Sequence, residues 1–139
     1  MRLWHYELIP VLPNKMLISQ WRECIAIKRQ WEKGTLKHRL VSYIMNYNKI
    51  YFMNYILDVM AEMDKRKIKY QDKYHTEICN FCRDDLNSIG LNGNEYYPEH
   101  DSRYLKQCYY NLQEKYDRHI ITAEEWDKIV DYCYSRVIK

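Results

Sequence analysis

KIYFMNYILDVMAEMDKRK, residues 49–67, decides the fold class. Ile50, Phe52, Met53, Ile56, Leu57, Met60 and Met63 recur at three- and four-residue steps. That period lines one broad face of an α-helix, whereas a half-buried strand would alternate. No glycine or proline interrupts the run, and the basic cluster at 65–67 falls where a helix dipole favours cations. The stretch is expected to be the central core helix.

Working outward, the same period appears on both sides. Pro10 and Pro13 close an irregular start, and Asn14 is placed to cap a first helix on which Leu17, Trp21, Cys24 and Lys28 share a face. Gly34 is its expected stop. A second helix is expected over 36–47, with Leu40, Val41, Ile44 and Met45 as its apolar face. Beyond the core helix, 71–88 reads as a polar helix, and SIGLNGNEYYPEH (88–100) reads as turns broken by Gly90, Gly93 and Pro98. Asp101 is placed to cap a helix running to Tyr116, and TAEE at 122–125 has the spacing of a capping box before a last helix. The fold class is all-α: a compact single-domain bundle of about five to six helices with an irregular N-terminal segment, residues 1–139 forming one domain.

Composition narrows the function classes. No run of 18 apolar residues occurs, so no membrane-spanning helix is expected. The first twenty residues lack the pattern of a secretory signal, so a cytoplasmic protein with five reduced cysteines is expected. The net charge is only +3, but it is unevenly spread. Residues 1–39 hold eight Lys/Arg against three Asp/Glu, and residues 72–101 hold two against seven. A basic pole suits a polyanion approached from one side, and two solvated faces that merely differ would look the same.

The chemistry sits near the beginning. Methionine aminopeptidase works poorly when the second residue is large, so Arg2 is expected to leave Met1 in place with a free α-amine. An unperturbed α-amine has a pKa of about 7.7–8.0, so a substantial fraction is neutral and nucleophilic near neutrality, where a lysine is almost wholly protonated. On the first helix, whose body is ISQWRECIAIKRQW (18–31), Lys15 just before it and Arg22 and Arg29 within it lie seven apart along one stripe. Glu23, one step round the helix, has neutral neighbours in Ser19, Gln20, Ala26 and Ile27. It is either a carboxylate in an anion-binding cleft or a surface residue in ordinary ion pairs.

MRLWH (1–5), LISQWREC (17–24) and YYPEH (96–100) together resemble the pyrimidine-dimer DNA glycosylase/AP-lyase family, the phage-type endonuclease V group, most closely its bacterial branch. In that family the N-terminal amine attacks the sugar C1′ of a damaged nucleotide, and an Arg-Glu pair on the first helix completes the site. The resemblance implies Met1 as nucleophile, Glu23 as the assisting carboxylate and Arg22 as the residue holding Glu23 in place. It implies damaged pyrimidines, cyclobutane dimers above all, as substrate, with double-stranded DNA carrying damaged or abasic nucleotides as partner. No metal or organic cofactor is implied, and a monomer is expected. Arg2, His5, Lys28, Arg29, Lys33, Lys37, His38 and Arg39 are the expected DNA contacts. The pattern also departs from the family. Met1 stands where phage-type proteins expose a small residue, and Ala26 stands where they carry a further cation. The aromatic tail is spread over Trp126, Tyr132 and Tyr134.

Other signals weigh less. CNFC at 79–82 with His75 offers three soft ligands, but structural zinc sites usually pair two such motifs, so buried thiols are expected. His100 either enters the site or stabilises its turn, and Cys24 falls on the apolar stripe. The rival readings are a non-catalytic nucleic-acid-binding module and a helical interaction protein.

Overall fold

The computed structural model describes residues 1–86, 96–134 and 136. Five α-helices follow in order: α1 (Asn14–Lys33), α2 (Lys49–Lys65), α3 (Asp72–Leu86), α4 (Ser102–Asp117) and α5 (Ala123–Cys133). Two 3-10 turns, Tyr6–Val11 and Ser42–Asn46, precede α1 and α2. Among the described residues there is no strand, and the fold is all-α. Gly90 and Gly93 lie outside the described residues.

The centre belongs to α2, which packs against α1, α3 and both 3-10 turns. Phe52, Ile56 and Val59 are wholly buried, and Met53, Met60 and Met63 nearly so. Each such side chain contributes about 1.5–3 kcal/mol by leaving water. The Asn48 side chain starts the helix by accepting from the Ile50 N–H at 2.9 Å. At the far end, Arg66 turns back on the N-terminal segment. It donates to the carbonyls of Leu12 at 2.6 Å and Pro10 at 2.9 Å, and to Asn14 Oδ1 at 2.9 Å.

Most expected boundaries are present. Gly34 ends α1 at φ 70°, the left-handed conformation that glycine adopts without strain. Asp101 Oδ1 caps α4 by accepting from Tyr104 N at 2.8 Å, and Thr122 and Glu125 close a reciprocal capping box on α5. Asn14 is not the cap of α1: Pro13 holds that position, and Asn14 is the first helical residue.

Of the helix expected over 36–47, only the 3-10 turn Ser42–Asn46 forms. His38 Nδ1 accepts from Leu40 N at 3.3 Å, and its carbonyl accepts from Val41 and Ser42, which closes a turn. Side-chain-to-backbone bonding of this kind competes with the helical ladder. Val41 and Ile44 still reach the core, while Leu40 and Met45 face solvent.

Candidate active site

Residues 1–5 have no regular structure, so their backbone polar groups must find partners elsewhere. Three helices supply them. The carbonyl of Arg2 accepts from Gln20 Nε2 on α1 at 3.0 Å, and that of Leu3 accepts from the Tyr104 hydroxyl on α4. The carbonyl of Trp4 accepts from the Tyr55 hydroxyl on α2 at 2.7 Å. The Trp4 N–H donates to Gln20 Oε1 at 2.8 Å. Leu3 and Trp4 are buried below this lattice, which leaves Met1 projecting one residue beyond a fixed segment.

Met1 opens into a cleft of about 310 Å³ that also borders Arg2, Gln20, Glu23, Asn111 and Lys115. Glu23 is half-buried, and Gln20 Nε2 donates to its Oε2 at 3.2 Å. The Arg2 guanidinium lies 5.7 Å from the centre of the Trp4 ring. Burial pushes the Tyr104 phenol and the Cys108 thiol up, while the neighbouring Arg2 charge draws both back down. The α4 wall is tied to α1 by Lys15, whose ammonium donates to the Ile120 carbonyl just past α4.

Arg22 stands elsewhere. It borders a larger groove of about 530 Å³ with Trp21, Tyr70, Tyr74, Arg29 and Lys69, on another face of α1. Consecutive helical residues diverge by about 100°, so neighbours in sequence serve different surfaces. Among the described residues no ion pair joins Arg22 to Glu23, and the hydrogen bond on Glu23 comes from Gln20.

The expected DNA contacts divide into two sets. Lys33, Lys37, His38 and Arg39 are exposed at the end of α1 and in the turn beyond it. Arg29 is half-exposed but engaged, with Nε 3.1 Å from Glu77 on α3. Lys28 is corrected: it is buried, with Nζ 2.5 Å from Glu32 and 2.6 Å from Glu77, so it serves packing and not a phosphate surface. Arg29 and Lys28 together hold the Glu77 carboxyl below its ordinary range.

His5 is likewise corrected. It is 2% exposed, its Nδ1 accepts from Glu7 N at 3.1 Å, and burial lowers its pKa. A side chain so buried is out of reach of a phosphate on the duplex surface. His100, which left two readings open in the sequence, stabilises the N-terminal region from within. Its Nδ1 accepts from Tyr6 N at 3.3 Å, so its proton is on Nε2, 2.7 Å from the Tyr43 hydroxyl. Burial lowers its pKa to about 3, and the neighbouring His5 adds to the shift.

The cysteines are arranged as packing residues. Cys24 is fully buried and its thiol is pushed well up by burial. Cys79 Sγ lies 3.8 Å from His75 Nδ1, whereas Cys82 is buried and donates to the Lys49 carbonyl. In the sequence Gln20 is only a neutral neighbour of Glu23, and Asn111 and Lys115 carry no local signal. The cue for Gln20 was its i, i+3 spacing to Glu23, while nothing local relates residues 111 and 115 to residue 1.

No helix among the described residues is long and apolar enough to cross a membrane. Comparison with curated proteins and with solved structures gives no match. The profile of the family described as pyrimidine dimer DNA glycosylase matches residues 1–78, more than half of the chain. That span contains the N-terminal segment, all of α1 and α2 and the start of α3, hence Met1, Arg2, Gln20 and Glu23; α4 lies beyond it. With Met1, Arg2 and Glu23 on one cleft and the matched segment building most of its walls, the chain belongs to the pyrimidine dimer DNA glycosylase family.

Proposed function

We propose that the protein excises damaged pyrimidines from double-stranded DNA, cyclobutane dimers first among them, and then cleaves the abasic strand, with the Met1 α-amine as nucleophile and Glu23 as the assisting carboxylate. One observation carries this reading: Met1 and Glu23, 22 positions apart, border the same cleft, whose rim carries the cations Arg2 and Lys115. An amine, a carboxylate and phosphate-binding cations are the parts that imine-forming strand cleavage needs.

The steps follow from those parts. Arg2, Lys115 and the exposed group Lys33, Lys37, His38 and Arg39 bind phosphates. A lesion weakens stacking, so less energy is needed to displace a nucleotide and expose C1′. The neutral amine bonds to C1′ as the bond to the base breaks, and the base leaves with a proton. The sugar ring opens to an imine, its ring oxygen taking up a proton. Glu23 then accepts a proton from C2′ while the C3′–oxygen bond breaks and releases the 3′ phosphate. Water finally hydrolyses the imine.

Borohydride reduction during turnover tests the reading. It should link the protein covalently to abasic-site DNA through Met1, and a peptide added before Met1 should abolish the link. Duplex binding without any adduct would favour a non-catalytic DNA-binding module.

A further inference from the structure

We propose that Gln20 is a positioning residue for this reaction, locking the segment that carries the amine and the carboxylate that moves protons into one unit. The inference rests on the amine–Glu23 reading above.

Gln20 is 1% exposed, yet every hydrogen-bonding position of its amide is engaged. Its nitrogen carries two hydrogens, and two acceptors meet them: Arg2 O at 3.0 Å and Glu23 Oε2 at 3.2 Å. Its oxygen meets two donors, Trp4 N and the Tyr55 hydroxyl, each at 2.8 Å. Tyr55 shares its one proton between this oxygen and Trp4 O. Turning the amide over would set oxygen against a carbonyl and a carboxylate, and N–H groups against an N–H, so one orientation is fixed.

The consequence reaches the chemistry through two paths. Bonds to Arg2 O and Trp4 N fix the backbone on both sides of Leu3, which sets where Met1 projects. The second hydrogen on the same nitrogen fixes one oxygen of Glu23. The two reacting groups are thus referenced to a single amide. Only a side chain with donors at one end and an acceptor at the other can do this; asparagine is a methylene too short, glutamate lacks the donors and lysine lacks the acceptor.

The test compares Gln20→Met, which keeps the shape and loses the bonds, with wild type. Three quantities are read: the single-turnover rate of strand cleavage on abasic-site duplex, normalised to the fraction of enzyme trapped by borohydride at completion; the dissociation constant for an uncleavable tetrahydrofuran-site duplex; and the thermal unfolding midpoint. Positioning predicts a rate lower by about ten- to a hundredfold with binding within about threefold. A merely structural role would reduce the folded fraction and leave the normalised rate in place, and that result overturns the proposal. Should Gln20→Met not fold, Gln20→Glu keeps the acceptor end and sets a carboxylate against Glu23, and an unchanged normalised rate there overturns the proposal equally. In the wild-type protein, the Gln20 carboxamide hydrogens should exchange at least about tenfold more slowly than those of exposed Gln107 and Gln113. Equal exchange overturns the arrangement without any variant. If wild type itself forms no adduct, the parent reading falls first; an adduct with an indifferent Gln20→Met removes this inference alone.

Discussion

Arg22 and Glu23 are consecutive residues that border different hollows, Glu23 the cleft beside Met1 and Arg22 the groove walled by Trp21 and Tyr74. Their substitutions should therefore separate. Glu23→Gln is expected to lower the single-turnover cleavage rate by about a hundredfold or more while duplex binding stays within about threefold. Arg22→Gln should do the reverse, weakening binding and reducing the slope of log K against log salt by about 0.9 if it meets one phosphate. Salt-dependent binding beside rapid-quench cleavage checks both. Equal loss of rate in the two variants would argue against the separation.

Lys115 brings a cation to the Met1 cleft from α4, outside the segment matched by the family profile. Lys115→Gln should weaken binding to abasic duplex at low salt by about 1 kcal/mol, nearly the same for every flanking sequence, because a phosphate contact positions without reading bases. A titration against duplexes of several sequences measures it. Binding indistinguishable from wild type would remove Lys115 from the DNA surface.

Glu77 links α3 to α1 through Lys28 and Arg29. Glu77→Gln leaves the buried Lys28 with the more exposed Glu32 alone and should cost about 1–3 kcal/mol. The folded carboxyl titrates below its ordinary 4.5, so its contribution is complete above that value and is lost as pH falls through the lower folded value. Denaturation curves for the two proteins should therefore differ most near neutrality and converge in acid. DNA affinity, in contrast, should barely change.

His100 titrates at about 3 when folded and at 6.5 ordinarily. Above 6.5 neither state binds the proton; below it only the unfolded chain does, so stability falls as pH drops from 6.5 towards 3. The slope is about 1.4 kcal/mol per pH unit for His100 between those values, and His5, also lowered by burial, acts in the same direction. Urea unfolding at several mildly acidic pH values should show the decline, and His100→Asn should flatten it. An unchanged slope in that variant would place the acid sensitivity elsewhere.

What could be read along the chain was whatever local chemistry decides. The apolar period of α2, Gly34 beyond α1, Asp101 before α4 and the capping box on α5 are each complete within a few residues. Val41 and Ile44 have helical spacing, but backbone bonds to the His38 carbonyl and one bond from Leu40 N to the His38 ring close a turn that leaves only the 3-10 turn Ser42–Asn46. Lys28 shares the buried face of Leu17, Trp21 and Cys24, but Glu77, the partner that takes its charge from α3, lies 49 residues later, so its charge alone reads as a phosphate contact. His5 looked accessible for the same reason, its surroundings coming from His100 and Tyr104. For the site, the resemblance named Met1, Arg22 and Glu23; folding sets Arg22 on another groove and brings Gln20, Asn111 and Lys115 to the cleft of the other two.

The carbonyls of Arg2, Leu3 and Trp4 answer to α1, α4 and α2 in turn. Since Tyr104 lies 101 residues after Leu3, the bond on the Leu3 carbonyl closes only when α4 is in place, whereas those on Arg2 and Trp4 draw on α1 and α2 alone. Three helices far apart in sequence thus hold one short irregular segment, and loosening any one of them frees a carbonyl beside the Met1 cleft.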